Sequence, residues 1–163
     1  MTLFRFGVMG LAVLSMVAIA DRAAANDSGS YKPPEAAGGD SADMTTARAA
    51  IAAKDYAGAI KILYPMSQSM PQDADVVNLL GFSYRMLGQY PQAFIYYDKA
   101  LAIDPAHKGA LEYEGEAYLE TNQLPKAMNN LATLKRACGS AGCAEIAQLE
   151  SAIGRYKKQA KIN

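Results

Sequence analysis

The sequence predicts an all-α fold: an α-solenoid of three helix hairpins laid side by side and closed by a C-terminal capping helix. Three observations carry that prediction. Residue types recur at a fixed interval of 34 along the 163-residue chain. Apolar residues recur at spacings of three and four within each interval, and helix breakers restart the pattern every fourteen residues or so. Shifted by 34, Tyr56, Tyr90 and Leu124 fall in register, as do Ala59, Ala93 and Ala127, and Leu63, Tyr97 and Leu131. Ala47, Gly81 and Gly115 align upstream, with Ala50, Tyr84 and Tyr118, while Pro71 matches Pro105 and Pro91 matches Pro125. Self-similarity at such a period means stacked repeats.

The chain is 51% hydrophobic and 20% charged, with a formal net charge of zero. One globular domain fits that composition. No global field draws the protein to nucleic acid or anionic lipid, so no nucleic-acid partner is expected. Residues 1–25 read as a signal peptide: Arg5, then fifteen uncharged residues from Phe6 to Ala20, then small residues. Ala18-Ile19-Ala20 and Ala23-Ala24-Ala25 compete as cleavage sites, and cleavage after Ala25 leaves a polar spacer. The rival is an uncleaved anchor, but fifteen helical residues reach roughly 22 Å against the ~30 Å hydrocarbon core. The expectation is an exported protein, periplasmic or secreted, with no stable membrane insertion after cleavage. Residues 26–43, rich in Gly, Ser, Pro and Asp, read as a flexible leader.

Each interval reads as two helices. In the second, Val77, Leu80, Gly81 and Tyr84 share one helical face; Gly88 ends that helix and Pro91 opens the next. Ala93, Tyr97, Ala100 and Leu101 form the second face, and Asp104-Pro105 stops it. The small residues let helix backbones approach, and the tyrosines fill the gaps between. One hairpin cannot cover its own apolar face, so neighbours must stack.

Leu80, Gly81, Tyr84, Gly88, Tyr90, Ala93, Tyr97, Ala100 and Pro105 together resemble the tetratricopeptide repeat (TPR), whose 34-residue pattern combines a Leu-Gly pair, a Tyr, Ala residues and a terminal Pro. Three units fit within residues 44–138, at about 40–73, 74–107 and 108–138, with the middle one matching best. The third keeps Gly115, Tyr118, Ala127 and Leu131 but has Leu134 for the second Ala and Gly139 for the Pro. The first has Ala47 and Ala50 in place of Gly and Tyr.

Residues 139–163 read as a turn and a capping helix with a basic tail. Cys138 and Cys143 enclose Gly-Ser-Ala-Gly, and in an exported chain this pair favours a disulfide. Closing so short a loop stabilises by roughly 2 kcal/mol. Free thiols and redox or metal chemistry are the competing readings, weakened by a spacing unlike C-x-x-C and by two thiols being too few for a metal. Ile146, Leu149, Ile153 and Tyr156 then make one helical face, ending near Arg155, Lys157, Lys158 and Lys161.

Catalysis finds no support: there is no phosphate loop, no H-E-x-x-H, and a single histidine, His107, in an inter-repeat turn where it reads as a bystander. No cofactor or metal is expected. The resemblance implies a concave groove lined by the first helix of each unit, which holds a protein or peptide. Carried over residue by residue, that groove comprises Met44, Arg48 and Ile51; Asn78, Phe82, Arg85 and Met86; and Glu112, Glu116, Leu119 and Glu120. The three glutamates at i, i+4 and i+8 share a face and suggest a partner with a basic segment, beside an apolar patch at Phe82, Met86 and Leu119. The family's clamp for acidic carboxy-terminal tails would need cationic and amide side chains at Met44, Arg48, Leu79, Gly109 and Tyr113, where only Arg48 is charged, so a cytosolic chaperone adaptor is disfavoured. The expected function is a non-enzymatic adaptor or scaffold outside the cytoplasm. A structural subunit of a homo-oligomer or envelope assembly is the alternative, and a thiol-redox protein the third reading.

Overall fold

Ser41 opens the first helix of the computed structural model, which describes residues 41–161; its side chain accepts the Met44 N–H at 3.2 Å. That cap brings Ala42 and Asp43, which the sequence reading counts as the last two leader residues, into helix α1 (Ala42–Ala52). The expected signal peptide, residues 1–25, and leader residues 26–40 lie outside the described residues. Asp55 caps α2 (Tyr56–Ser69) by accepting from Gly58 N–H at 2.8 Å, and Asp73 caps α3 (Ala74–Met86) by accepting from Val76 N–H at 3.0 Å. These side chains satisfy helix-end donors that have no partner within the helix.

Helices α4 (Tyr90–Ile103) and α6 (Leu124–Cys138) start without a side-chain cap and carry a proline, Pro91 or Pro125, in the first turn. Proline loses nothing there, because that N–H has no helical acceptor. Between them lies α5 (Lys108–Glu120), and α7 (Ala144–Ala160) follows. The three hairpins are α1–α2, α3–α4 and α5–α6, each packed on the next, with α7 lying against α5 and α6. The protein is therefore an α-solenoid of three tetratricopeptide-type hairpins plus a capping helix. Among the described residues, no helix is long and apolar enough to cross a membrane.

The 34-residue register reaches the backbone dihedrals. Lys54, Gly88 and Asn122 stand in the tight turns inside the three hairpins, and all three adopt positive φ, at 61°, 72° and 60°. Glycine takes this conformation freely, asparagine tolerates it, and lysine is strained in it.

Packing explains why position 81 is a glycine. A Cβ there would stand 2.9 Å from the ring of Tyr97, which is fully buried, and 3.3 Å from the Ala93 carbonyl oxygen. Gly115 holds the same place in the third hairpin, but the side chain pressed against it is Leu149 of α7, 2.8 Å from the would-be Cβ. The third hairpin has Leu131 where the second has Tyr97. The cap thus fills with Leu149 the place against α5 that a tyrosine fills against α3. Leu149 joins Leu111, Leu119, Ala127, Leu134, Ala152 and Ile153 in the apolar core of this end.

Cys138 and Cys143 are joined by a disulfide with Cα atoms 5.8 Å apart, enclosing a single 3₁₀ turn over Gly139–Ala141. Gly139 and Gly142 both take positive φ, which lets so short a loop reverse direction.

Candidate functional site

The first helices α1, α3 and α5 carry every residue assigned to the groove, and side-chain contacts through Phe82 and Arg85 join those of α3 to α5. On α1, Met44 and Ile51 are buried and Arg48 is half-buried. On α3, Phe82 meets Tyr56 of α2 edge-on, with ring centroids 6.1 Å apart, and tilts against Tyr113 of α5 at 4.8 Å. The Arg85 guanidinium carbon sits 5.7 Å from the Phe82 ring centroid, within cation–π range. Asn78, 1% exposed, lies beside the start of α5, where a Cβ on Gly109 would come 3.1 Å from its amide nitrogen. Met86 is partly exposed at the end of α3.

Arg85 organises the boundary between the second and third hairpins. Its Nη1 lies 2.7 Å from Glu116 Oε2 and donates to the Tyr113 carbonyl oxygen at 3.4 Å, while its Nε lies 3.2 Å from Glu120 Oε2. The Arg85 side chain is only 6% exposed. Burial works against its charge, but Glu116, Tyr97 and Glu120 outweigh that penalty and the guanidinium is held firmly protonated.

The acidic row on α5 is consequently not a line of unpartnered carboxylates. Glu116 and Glu120 are bound by Arg85. Glu112 is buried at 6% exposure, and the Gln148 amide of α7, oriented with its nitrogen towards the carboxyl, donates to both oxygens at 3.1 and 3.0 Å. Burial pushes the Glu112 carboxyl up to about 8, helped by Glu116 and Glu145 and opposed by Arg85. Burial also raises Glu120, while Arg85 pulls it back. Leu119 is buried beneath this row as part of the cap-end core.

Two side chains that tie the helices together escaped the sequence reading. His107 is no bystander: its Nδ1 accepts the Ala110 N–H at 3.0 Å, capping α5, and its Nε2 lies 3.1 Å from Asp75 Oδ1 on α3. The histidine therefore ties the second hairpin to the third at the turns. Its position immediately before Lys108, at a helix start, was the available signal. Glu114 faces the opposite way from the groove row. It accepts from the Tyr118 hydroxyl at 3.2 Å and from the Asn130 amide at 2.7 Å, holding α5 to α6. An open recess at the turns, lined by Met70, Asp73, Asp75, Asp104 and His107, uses its carboxylates for structure: Asp73 caps α3 and Asp104 accepts from Ala106 N–H at 2.9 Å.

Known proteins share this fold. Residues 74–107 match the family model described as Tetratricopeptide repeat. A curated relative, "Uncharacterized protein ycf37" of Guillardia theta, is 41% identical over 54 residues, which cover 33% of this chain and only 30% of that protein. The Sgt2 TPR domain from Aspergillus fumigatus superposes with a TM-score of 0.63 at 19% identity, covering 73% of this chain and 77% of that one. PcrH, solved in complex with the chaperone binding region of PopD, gives 0.63 at 18% identity, over 72% of this chain and 90% of that one. A chain of the CopN-Scc3 complex gives 0.58 at 20% identity, over 78% and 81%. At these identities the solved structures speak for the fold. Residues 74–107 are therefore a tetratricopeptide repeat, and the chain is built as a tetratricopeptide-type α-solenoid.

Proposed function

We propose that this protein is a non-enzymatic adaptor or scaffold that binds a protein or peptide along the face formed by α1, α3 and α5, and that it works outside the cytoplasm, in the periplasm or as a secreted protein. The observation that supports the reading is the joining of α3 to α5 on that face, where Phe82, Arg85 and Tyr113 link the two helices side by side. Two of the structural neighbours were solved with protein partners, the chaperone binding region of PopD and the partner chain in CopN-Scc3, which supports a protein ligand here. The sequence supports export, and the Cys138–Cys143 bond suits an oxidising compartment.

The ion pairs change the partner chemistry that the glutamate row suggests. A basic partner residue must compete with Arg85 for Glu116 and Glu120, so an apolar or aromatic anchor near Met86 fits better than a basic segment. A photo-crosslinking side chain placed at Met86 of the full chain tests the face directly. It should capture a partner from the envelope fraction that the same probe at Ile95, which is 53% exposed on α4, does not capture. Equal capture from both positions, or capture from Ile95 alone, contradicts the reading.

Homo-oligomer assembly is the second reading, favoured by one observation. Tyr64, Ile95 and Met128 are 49%, 53% and 48% exposed on the second helices α2, α4 and α6. A sedimentation coefficient that stays at the monomer value at every concentration removes this alternative.

A further inference from the structure

Glu112 has a position that protein binding does not explain. It is 6% exposed, it faces the capping helix, and among the described residues no cation pairs with it directly. The charged groups acting on it are Arg85 from α3, Glu116 on its own helix and Glu145 from α7. Arg85 is already engaged by Glu116 and Glu120. The geometry points to α7 as a proton-latched cap, which docks on α5 while Glu112 is neutral and loosens when Glu112 loses its proton.

The contact with Gln148 serves both states. One atom of the Gln148 head group lies 3.1 and 3.0 Å from the two Glu112 oxygens. As amide nitrogen it donates to the carboxylate; turned by half a circle, the amide oxygen accepts from the protonated acid. The hydrogen bond alone therefore does not decide the latch. The charge does. An ionised Glu112 leaves a desolvated negative charge in the α5–α7 seam, next to Glu116 and Glu145, and moving α7 away hydrates it and separates it from Glu145. The rise of this carboxyl to about 8 is the same cost seen from the proton's side.

The seam is tight at the neighbouring position. Leu149, fully buried, presses on Gly115 one turn along α5 from Glu112. A small displacement of α7 thus uncovers the apolar cluster around Leu111, Leu119 and Leu134. The disulfide at Cys143 keeps the start of α7 tethered, so the motion is a swing of the helix and not its loss.

Amide hydrogen exchange on the full oxidised chain, corrected for the intrinsic effect of pH, tests the latch. Between about pH 6 and about pH 9.5, the α7 amides from Leu149 to Tyr156 should lose at least about tenfold in protection relative to α3. Glu112→Gln, neutral at every pH, should hold α7 protection constant across that range. A wild-type ratio of α7 to α3 protection that does not change, or a Glu112→Gln variant that still loosens, overturns the latch. Should that variant fail to fold, ¹³C titration of the wild-type Glu112 carboxyl decides. A midpoint in the ordinary carboxylate range overturns the proposal, and one near neutrality or above supports it.

Discussion

Arg85 on α3 and Glu116 on α5 meet at 2.7 Å across the boundary between the second and third hairpins. With Glu120 as a second acceptor, this buried guanidinium couples two repeats whose apolar cores would otherwise be their main link. A pair of this kind adds little over an apolar replacement, but breaking one side leaves stranded charge.

Arg85→Met should therefore destabilise the protein by about 2–4 kcal/mol, read from urea unfolding. Adding Glu116→Gln and Glu120→Gln should recover most of that loss. If the triple variant is no more stable than Arg85→Met alone, the loss comes from packing and not from charge.

Lys54 takes the positive φ that Gly88 takes at the equivalent turn. Lys54→Gly should stabilise the chain by about 0.5–1 kcal/mol, since relief of left-handed strain exceeds the added freedom of the unfolded glycine. Thermal unfolding measures the gain. A lower melting temperature would contradict the turn geometry.

Gly81→Ala and Gly115→Ala look alike in sequence and should differ in effect. The first meets the rigid, fully buried Tyr97 ring and the Ala93 carbonyl, and should cost about 2–3 kcal/mol. The second meets the end of the Leu149 side chain, and it should cost less overall while raising hydrogen exchange in α7.

Stability should peak at mildly acidic pH. Glu112 rises from the ordinary 4.5 to about 8, so the folded state binds the extra proton between those values. Its contribution is fully present below about 4.5 and is lost as pH climbs through about 8. Glu114, raised chiefly by burial, acts in the same direction. Asp75 acts oppositely: the hydrogen bond from His107 lowers its carboxyl, burial notwithstanding, and that contribution disappears as pH falls. Melting temperatures at about pH 3, 6 and 9 should trace a maximum near the middle, and Glu112→Gln should flatten the alkaline side alone.

The hairpins were legible because their determinants are local and periodic. Gly88 and Pro91 mark the turn between α3 and α4, and the small residue at Gly81 announces the ring of Tyr97 only sixteen positions later. The three-way charge cluster was not legible in the same way. Arg85 lies 31 residues before Glu116, and only the stacking of α3 on α5 makes them partners. Read along one helix, Glu112, Glu116 and Glu120 looked like a free acidic row. Glu112 and Gln148 meet only once the capping helix is placed, and His107 replaces the Ser, Thr, Asp or Asn that usually announces a helix start.

Methyl NMR of the protein labelled at methionine, titrated with its captured partner, tests the binding face most directly. Met44 on α1 and Met86 on α3 should shift, while Met128, 48% exposed on α6, should stay in place. Shifts at Met128 with Met44 and Met86 unmoved would place the partner on the second helices and contradict the account.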